Sequence, residues 1–161
     1  MKQFIFIPVM VLLGIWLFYA RNGGPTSALV RDLESSNKNE VYDAFYFLTK
    51  RANPVAVPRA LELLKSSDDY TWLNAAMYLG ACNRLEAIPY LIKSLRHSAW
   101  RSDDEKVKYL KSLTGEEIGV DFESWLTWWK QQPNYAADFD WESSLGHAPR
   151  LRRSAPVLER R

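Results

Sequence analysis

The sequence predicts an all-α protein, a short α-solenoid of about three helix pairs preceded by one transmembrane helix. Three features of the 161-residue chain point there. Val41–Ser67 lies without a gap over Trp72–Ser98 at a spacing of 31 residues, so that Ala44 matches Ala75, Leu48 matches Leu79, Ala56 matches Ala87, Pro58 matches Pro89, Leu64 matches Leu95 and Ser67 matches Ser98. A fixed period of about 20 to 50 residues marks stacked units that bury their apolar faces on one another. Within the repeat, apolar residues recur at helical spacing: Val57, Ala60, Leu61 and Leu64, then Ile88, Leu91, Ile92 and Leu95. Finally, Gln3–Ala20 contains no charged residue and, as a helix, spans about 27 Å, close to the thickness of a bilayer core.

The apolar stretch comes first in the chain and belongs to a segment 1–21 bounded by Lys2 and Arg21. A cleaved signal peptide is the competing reading, but it requires a small-x-small site, and Phe18-Tyr19-Ala20 places a bulky ring there. An uncleaved anchor is therefore favoured. A buried core helix is disfavoured because no face of the stretch is polar. Arg21, Arg31 and Lys38 after the span favour a cytoplasmic domain by the positive-inside count, whereas the very short leading tail with its lysine resembles an export signal. The extracytoplasmic side is preferred, giving a single-pass membrane protein.

Residues 22–25 form a breaker, Asn-Gly-Gly-Pro, ahead of a repeat domain over 26–133. Its first helix opens near Thr26 or Ser27. Val30 and Leu33 fall one period before Leu61 and Leu64, so this helix reads as the second half of an incomplete unit. The first full unit pairs helices at about Asn39–Ala52 and Val55–Lys65, and the second pairs Asp69–Cys82 with Glu86–Arg96. Pro58 and Pro89 suit first helical turns, where an absent N–H loses no bond. The first helices are apolar on more than one side, as expected of helices flanked in a stack.

A third, degenerate unit carries Val107, Tyr109 and Leu110 one period after Ala76, Tyr78 and Leu79. Gly115 suits a left-handed helix stop, and Asp121 suits the cap of a last helix bearing Trp125, Trp128 and Trp129, which Pro133 ends. Residues 134–161 lose periodicity and read as a flexible basic tail with one docked aromatic piece around Phe139 and Trp141.

The string LGACNRLEAIPYLIKSL, with Ala75 and Ala76 before it, resembles HEAT-like repeats of the phycobilisome-lyase type found in bacterial proteins. Leu79, Gly80, Ala87, Ile88, Pro89, Leu91, Ile92 and Leu95 fit that pattern, and Leu113 through Trp129 resembles the closing segment of some such proteins. Trp72 stands where the family often has arginine, and Asn37 and Lys38 replace its acidic turn. The resemblance covers roughly Thr26 to Gln132. It implies HEAT-like helix pairs and a scaffold or adaptor role, since the family serves mostly to bind protein partners.

The residues themselves offer little chemistry. His97 and His147 lie in different segments and belong to no metal-binding arrangement, so no metal or cofactor is expected. Cys82 cannot form an internal disulfide and reads as a small buried hydrophobe. Asp103, Asp104 and Glu105 stand at a helix start, where carboxylates cap and complement the dipole. Phe47, Tyr78 and Tyr109 form a column better suited to core packing than to a peptide groove. Trp125, Trp128 and Trp129 at i, i+3 and i+4 are expected to seal the end of the stack, with partner contact as the alternative. Net charge is +2, yet Arg150–Arg161 holds five arginines against one glutamate, so the folded part lacks the basic field that nucleic acid requires. The expectation is a membrane-anchored, non-catalytic scaffold for a protein partner. The alternatives are a HEAT-like lyase or transferase, or binding of nucleic acid or anionic lipid through the tail.

Overall fold

The computed structural model describes residues 11–18, 25–96, 102–132, 139 and 141. Among these the chain is all-helical, with no strand. Beyond the helical residues 11–18 there are α1 (Thr26–Asp32), α2 (Lys38–Arg51), α3 (Val57–Leu63), α4 (Asp69–Ala81), α5 (Ile88–Ser94), α6 (Asp103–Thr114) and α7 (Phe122–Lys130).

Helix starts follow from the capping side chains. Asn37 accepts from the Asn39 N–H at 3.1 Å, Asp68 from Thr71 at 2.9 Å and Asp121 from Ser124 at 2.8 Å. Before α6 the cap is the Ser102 hydroxyl, which accepts from the Glu105 N–H at 3.3 Å. The acidic cluster expected to cap this helix instead fills its first turn, where it complements the dipole.

Two boundaries differ from the sequence reading. The second helices open later than Val55 and Glu86, because the chain first makes 3-10 turns at Pro54–Ala56 and Leu85–Ala87. At the first of these, the Asn53 side chain accepts from the Val55 N–H at 3.0 Å and pulls the chain into the tight turn. Pro58 and Pro89 then occupy the first turns of α3 and α5, as expected. Just before each 3-10 turn stands a left-handed residue, Ala52 at φ 46° and Asn83 at φ 54°, again one period apart. The period is thus written into the backbone turns as well as the side chains.

Along the chain α1 packs on α2, α3 on α4, α4 on α5 and α5 on α6, and corresponding helices one period apart meet at α2–α4, α4–α6 and α5–α7. In the middle, α4 meets α2, α3, α5 and α6. All nine residues from Trp72 to Gly80 are accordingly buried. Such a helix cannot keep a polar face, which is why its sequence is apolar all round. Ala44 on α2 and Ala75 on α4 are buried at matching positions and leave room for close approach. Gly80 does the same toward α6. A Cβ there would lie 3.0 Å from Cβ of Tyr109 and 3.1 Å from its Cγ. Leu33, Leu64, Leu95 and Leu126, successive at one period, are all buried, so the repeat continues through α7.

The third unit breaks the pattern in one place that sequence reading passed over. One period after Ala75 comes Lys106, fully buried, whose ammonium donates to the Ser94 carbonyl of α5 and to Asp103, both at 2.9 Å. A long side chain with a charged tip thus fills the slot that alanine fills elsewhere, and it ties α6 to α5.

The expected membrane span, 1–21, falls mostly outside the described residues. Residues 11–18 are helical, and every side chain among them is exposed, including Trp16 and Phe18. Among the described residues no helix is long and apolar enough to cross a membrane. Of the breaker only Pro25 is described, and of the tail only Phe139 and Trp141.

Candidate protein-binding surface

Of the expected tryptophan trio, only Trp128 reaches the surface appreciably. Trp125 is fully buried, and its indole N–H donates to the Gly119 carbonyl at 2.7 Å. That carbonyl is aimed inward by the turn before α7, where Gly119 adopts φ 83°, a region open to glycine. Trp129 is buried as well, whereas Trp128 is half-buried, edge-on to Trp125 at 5.6 Å. The helical angle accounts for the split. Relative to Trp125, Trp129 turns about 40° one way and Trp128 about 60° the other, which carries Trp128 over the rim of the buried stripe. There it lines a shallow, open groove of about 450 Å³ with Ile118, Glu123, Ser124, Thr127 and Gln131.

A second aromatic surface runs over α4, α5 and α7, and two residues from beyond the last helix join it. Trp72 of α4 packs on Tyr90 of α5 at 6.2 Å, and Phe139 stands edge-on to Tyr90 at 5.0 Å. Phe139 meets Trp141 at 4.7 Å, which in turn meets Phe122 at 6.3 Å and Trp129 at 6.4 Å, both on α7. The docked aromatic piece expected around these two residues therefore lies across α5 and α7. Edge-to-face contacts at such distances match the quadrupoles of the rings.

Cations border this surface. The Lys93 ammonium lies 4.4 Å from the Trp72 ring centre, and the Arg96 guanidinium lies 4.2 Å from that of Phe122. Arg96 also pairs with the exposed carboxylate of Glu123 at 2.9 Å. Burial lowers the Lys93 amine from its ordinary value, with Asp69 opposing the shift, and burial raises the Tyr90 hydroxyl. The surface thus combines half-dry rings with positive charge.

Sequence reading missed Tyr90, Lys93, Arg96 and Phe122. A signal was present for the first three. On α5 the buried stripe takes Ile88, Leu91, Ile92 and Leu95, while Tyr90, Lys93 and Arg96 recur every third residue along its flank. An aromatic and two cations on one flank mark a surface with something to bind, although nothing local announces that Phe139 and Trp141 come to rest there.

The other candidates resolve differently. Tyr78 of the aromatic column is fully buried; its hydroxyl donates to the Asn53 carbonyl at 2.5 Å and accepts from the Ala56 N–H at 3.1 Å. It clamps the turn of the preceding unit, and burial pushes its hydroxyl well above the ordinary tyrosine value. Phe47 and Tyr109 are partly buried against the core. Cys82 is half-buried, and burial raises its thiol above the ordinary value despite the Tyr78 hydroxyl and Arg84, which keeps it protonated and weakly nucleophilic at neutral pH. Among the described residues no three His, Cys, Asp or Glu side chains gather where a metal ion could bind. His97 and His147 lie outside the described residues. No family model, curated protein or solved structure matches the chain.

Proposed function

We propose that the chain is a membrane-anchored, non-catalytic scaffold, a short α-solenoid of about three HEAT-like helix pairs that holds a protein partner at the membrane. The observation that carries the binding role is the aromatic and cationic surface across α5 and α7. Rings with one dry and one wet side, edged by positive charge, are the composition that concentrates binding energy at protein interfaces. Supporting the solenoid reading, matched residues one period apart occupy matched places in successive units, from Ala44 and Ala75 to the left-handed Ala52 and Asn83. The uncharged stretch Gln3–Ala20 supports the anchor. A domain on the extracytoplasmic side goes with that anchor, and protease added to intact cells tests it.

The enzymatic alternative would rest on Cys82, and a thiol held protonated by burial does not favour it.

The test uses the full chain as bait on detergent-solubilised membranes. One protein should be retained in proportion to the bait by the native chain and lost by a Tyr90→Ser/Arg96→Ala variant with an unchanged circular dichroism spectrum. Equal retention by both would reject the α5–α7 surface as the binding site. Deleting residues 1–21 should move the protein out of the membrane fraction.

A further inference from the structure

We infer that the α5–α7 face is a docking site for a short segment in which two aromatic residues flank an acidic one, and that Phe139-Asp140-Trp141 of the same chain is its built-in competitor. The inference deepens the scaffold reading and rests on it, because it names the chemistry of the partner.

The occupant shows what the face accepts. Phe139 meets Tyr90 on α5, and Trp141, two residues on, meets Phe122 and Trp129 on α7. One i, i+2 pair of rings therefore bridges the two helices. In sequence these rings alternate with carboxylates, Asp138, Asp140 and Glu142. The receiving face offers the complement, with Lys93 and Arg96 standing over the neighbouring rings Trp72 and Phe122. Arg96 also pairs with the exposed carboxylate of Glu123, a contact that water screens and that an incoming carboxylate can replace.

The occupant also differs from the core it covers. The 31-residue period runs from α1 through α7 and does not include Phe139 or Trp141. Both rings are half-buried, whereas Phe122 and Trp129, which Trp141 touches, are buried. Half-buried rings that lie outside the period are ones that rings of equal chemistry on another segment can displace. Its advantage is the tether, which holds it at an effective concentration of about a millimolar. For a separate segment with an intrinsic Kd of about 100 μM, that competition weakens apparent binding about tenfold. The face then selects partners that present the motif at high local concentration, as on a membrane.

The experiment is a titration of a fluorescein-labelled peptide, Ala137 to Ser143 of this sequence, read by anisotropy. The native full chain is compared with a full-chain Phe139→Ser/Trp141→Ser variant, whose face is emptied. The emptied chain should bind about tenfold more tightly than the native one, and Arg96→Ala with Tyr90→Ser in the emptied chain should abolish the gain. A peptide with both aromatic residues replaced by alanine should bind neither. The inference is overturned if the emptied chain binds no more tightly than the native one, if it binds the alanine peptide equally, or if emptying the face unfolds the domain, since Phe139 and Trp141 would then be core. If the peptide fails while a membrane protein is still captured through Tyr90 and Arg96, the motif chemistry is rejected and the scaffold reading stands. If the peptide binds but no protein is captured, the reverse holds.

Discussion

Replacing Lys106 separates two things its side chain does, filling a slot and supplying a donor. In Lys106→Met the stem keeps most of its packing, but the Ser94 carbonyl of α5 loses a charge-assisted bond of 2.9 Å. Leaving a buried acceptor without this donor costs about 2 kcal/mol. The second partner, Asp103, has a side chain 31% exposed and can turn to water, so its loss adds little. Lys106→Ala restores the residue found at Ala44 and Ala75, yet it removes three methylenes at about 0.8 kcal/mol each and opens a cavity. Its total loss should reach about 4 to 5 kcal/mol. Urea unfolding of the full chain in mild detergent, followed by far-ultraviolet circular dichroism, measures both. For a domain of this size, each kcal/mol corresponds to about 4 °C in Tm. A methionine variant as stable as the native chain would refute the reasoning, because desolvating the ammonium would then offset everything its bonds return.

Three further outcomes follow from single positions. Ala52→Gly should stabilise by about 0.5 to 1 kcal/mol in the same urea assay, since φ 46° strains an L-residue more than the extra chain entropy of glycine costs; destabilisation would contradict that balance. Gly80→Val should destabilise by about 2 to 3 kcal/mol, because its Cβ would already press on Cβ and Cγ of Tyr109, atoms that move only if α6 moves. Asp68 caps α4 and pairs with Lys38 across units, and although burial pushes its carboxyl upward, the bonds from Lys38 and Thr71 bring it below the ordinary value. A carboxyl lowered in the folded state stabilises above its unfolded value and loses that contribution as pH falls through the folded one. The stability gap between the native chain and Asp68→Asn, about 0.5 to 1 kcal/mol, should therefore be full above about pH 3.8 and close below it. A gap that does not narrow at all as pH falls from neutral into the acid range in thermal melts would assign it to something other than ionisation.

The helical class and the places of most helices were legible because they depend on period, and period is a property of the sequence itself. The prolines of α3 and α5, Gly115 as a left-handed stop at φ 80° and Asp121 as a cap all act through neighbours within a turn or two. What could not be read acts at a distance. Lys106 looks like a surface lysine until α5 brings the Ser94 carbonyl against it. Trp125 and Trp128 look equivalent until the core edge falls between them. The candidate site was partly legible: tryptophans and a docked aromatic piece were visible, but Tyr90, Lys93 and Arg96 belong to a flank that becomes a site only when residues 139 and 141 lie on it.

The last unit carries departures from the repeat beyond Lys106. Along the stack Ala60, Leu91 and Phe122 hold one register position, and Leu63, Ser94 and Trp125 hold another, so the last unit carries an aromatic ring at both. A stack that stops must cover the face its next unit would have buried. Toward this end the chain carries large rings on α7, a Lys106 bonded back to α5, and two residues from beyond the last helix that lie across α5 and α7. Another helix would have closed that end permanently, since its apolar stripe would have joined the core. Phe139 and Trp141 lie outside the period and stay half-buried, and their ring contacts are edge-on. An end closed in this way is stable enough to keep the aromatic surface from associating at random, and labile enough to be opened by a ligand of matching chemistry. Function is therefore to be sought where the 31-residue period ends, at α7 and the two rings, Phe139 and Trp141, that lie against it and α5.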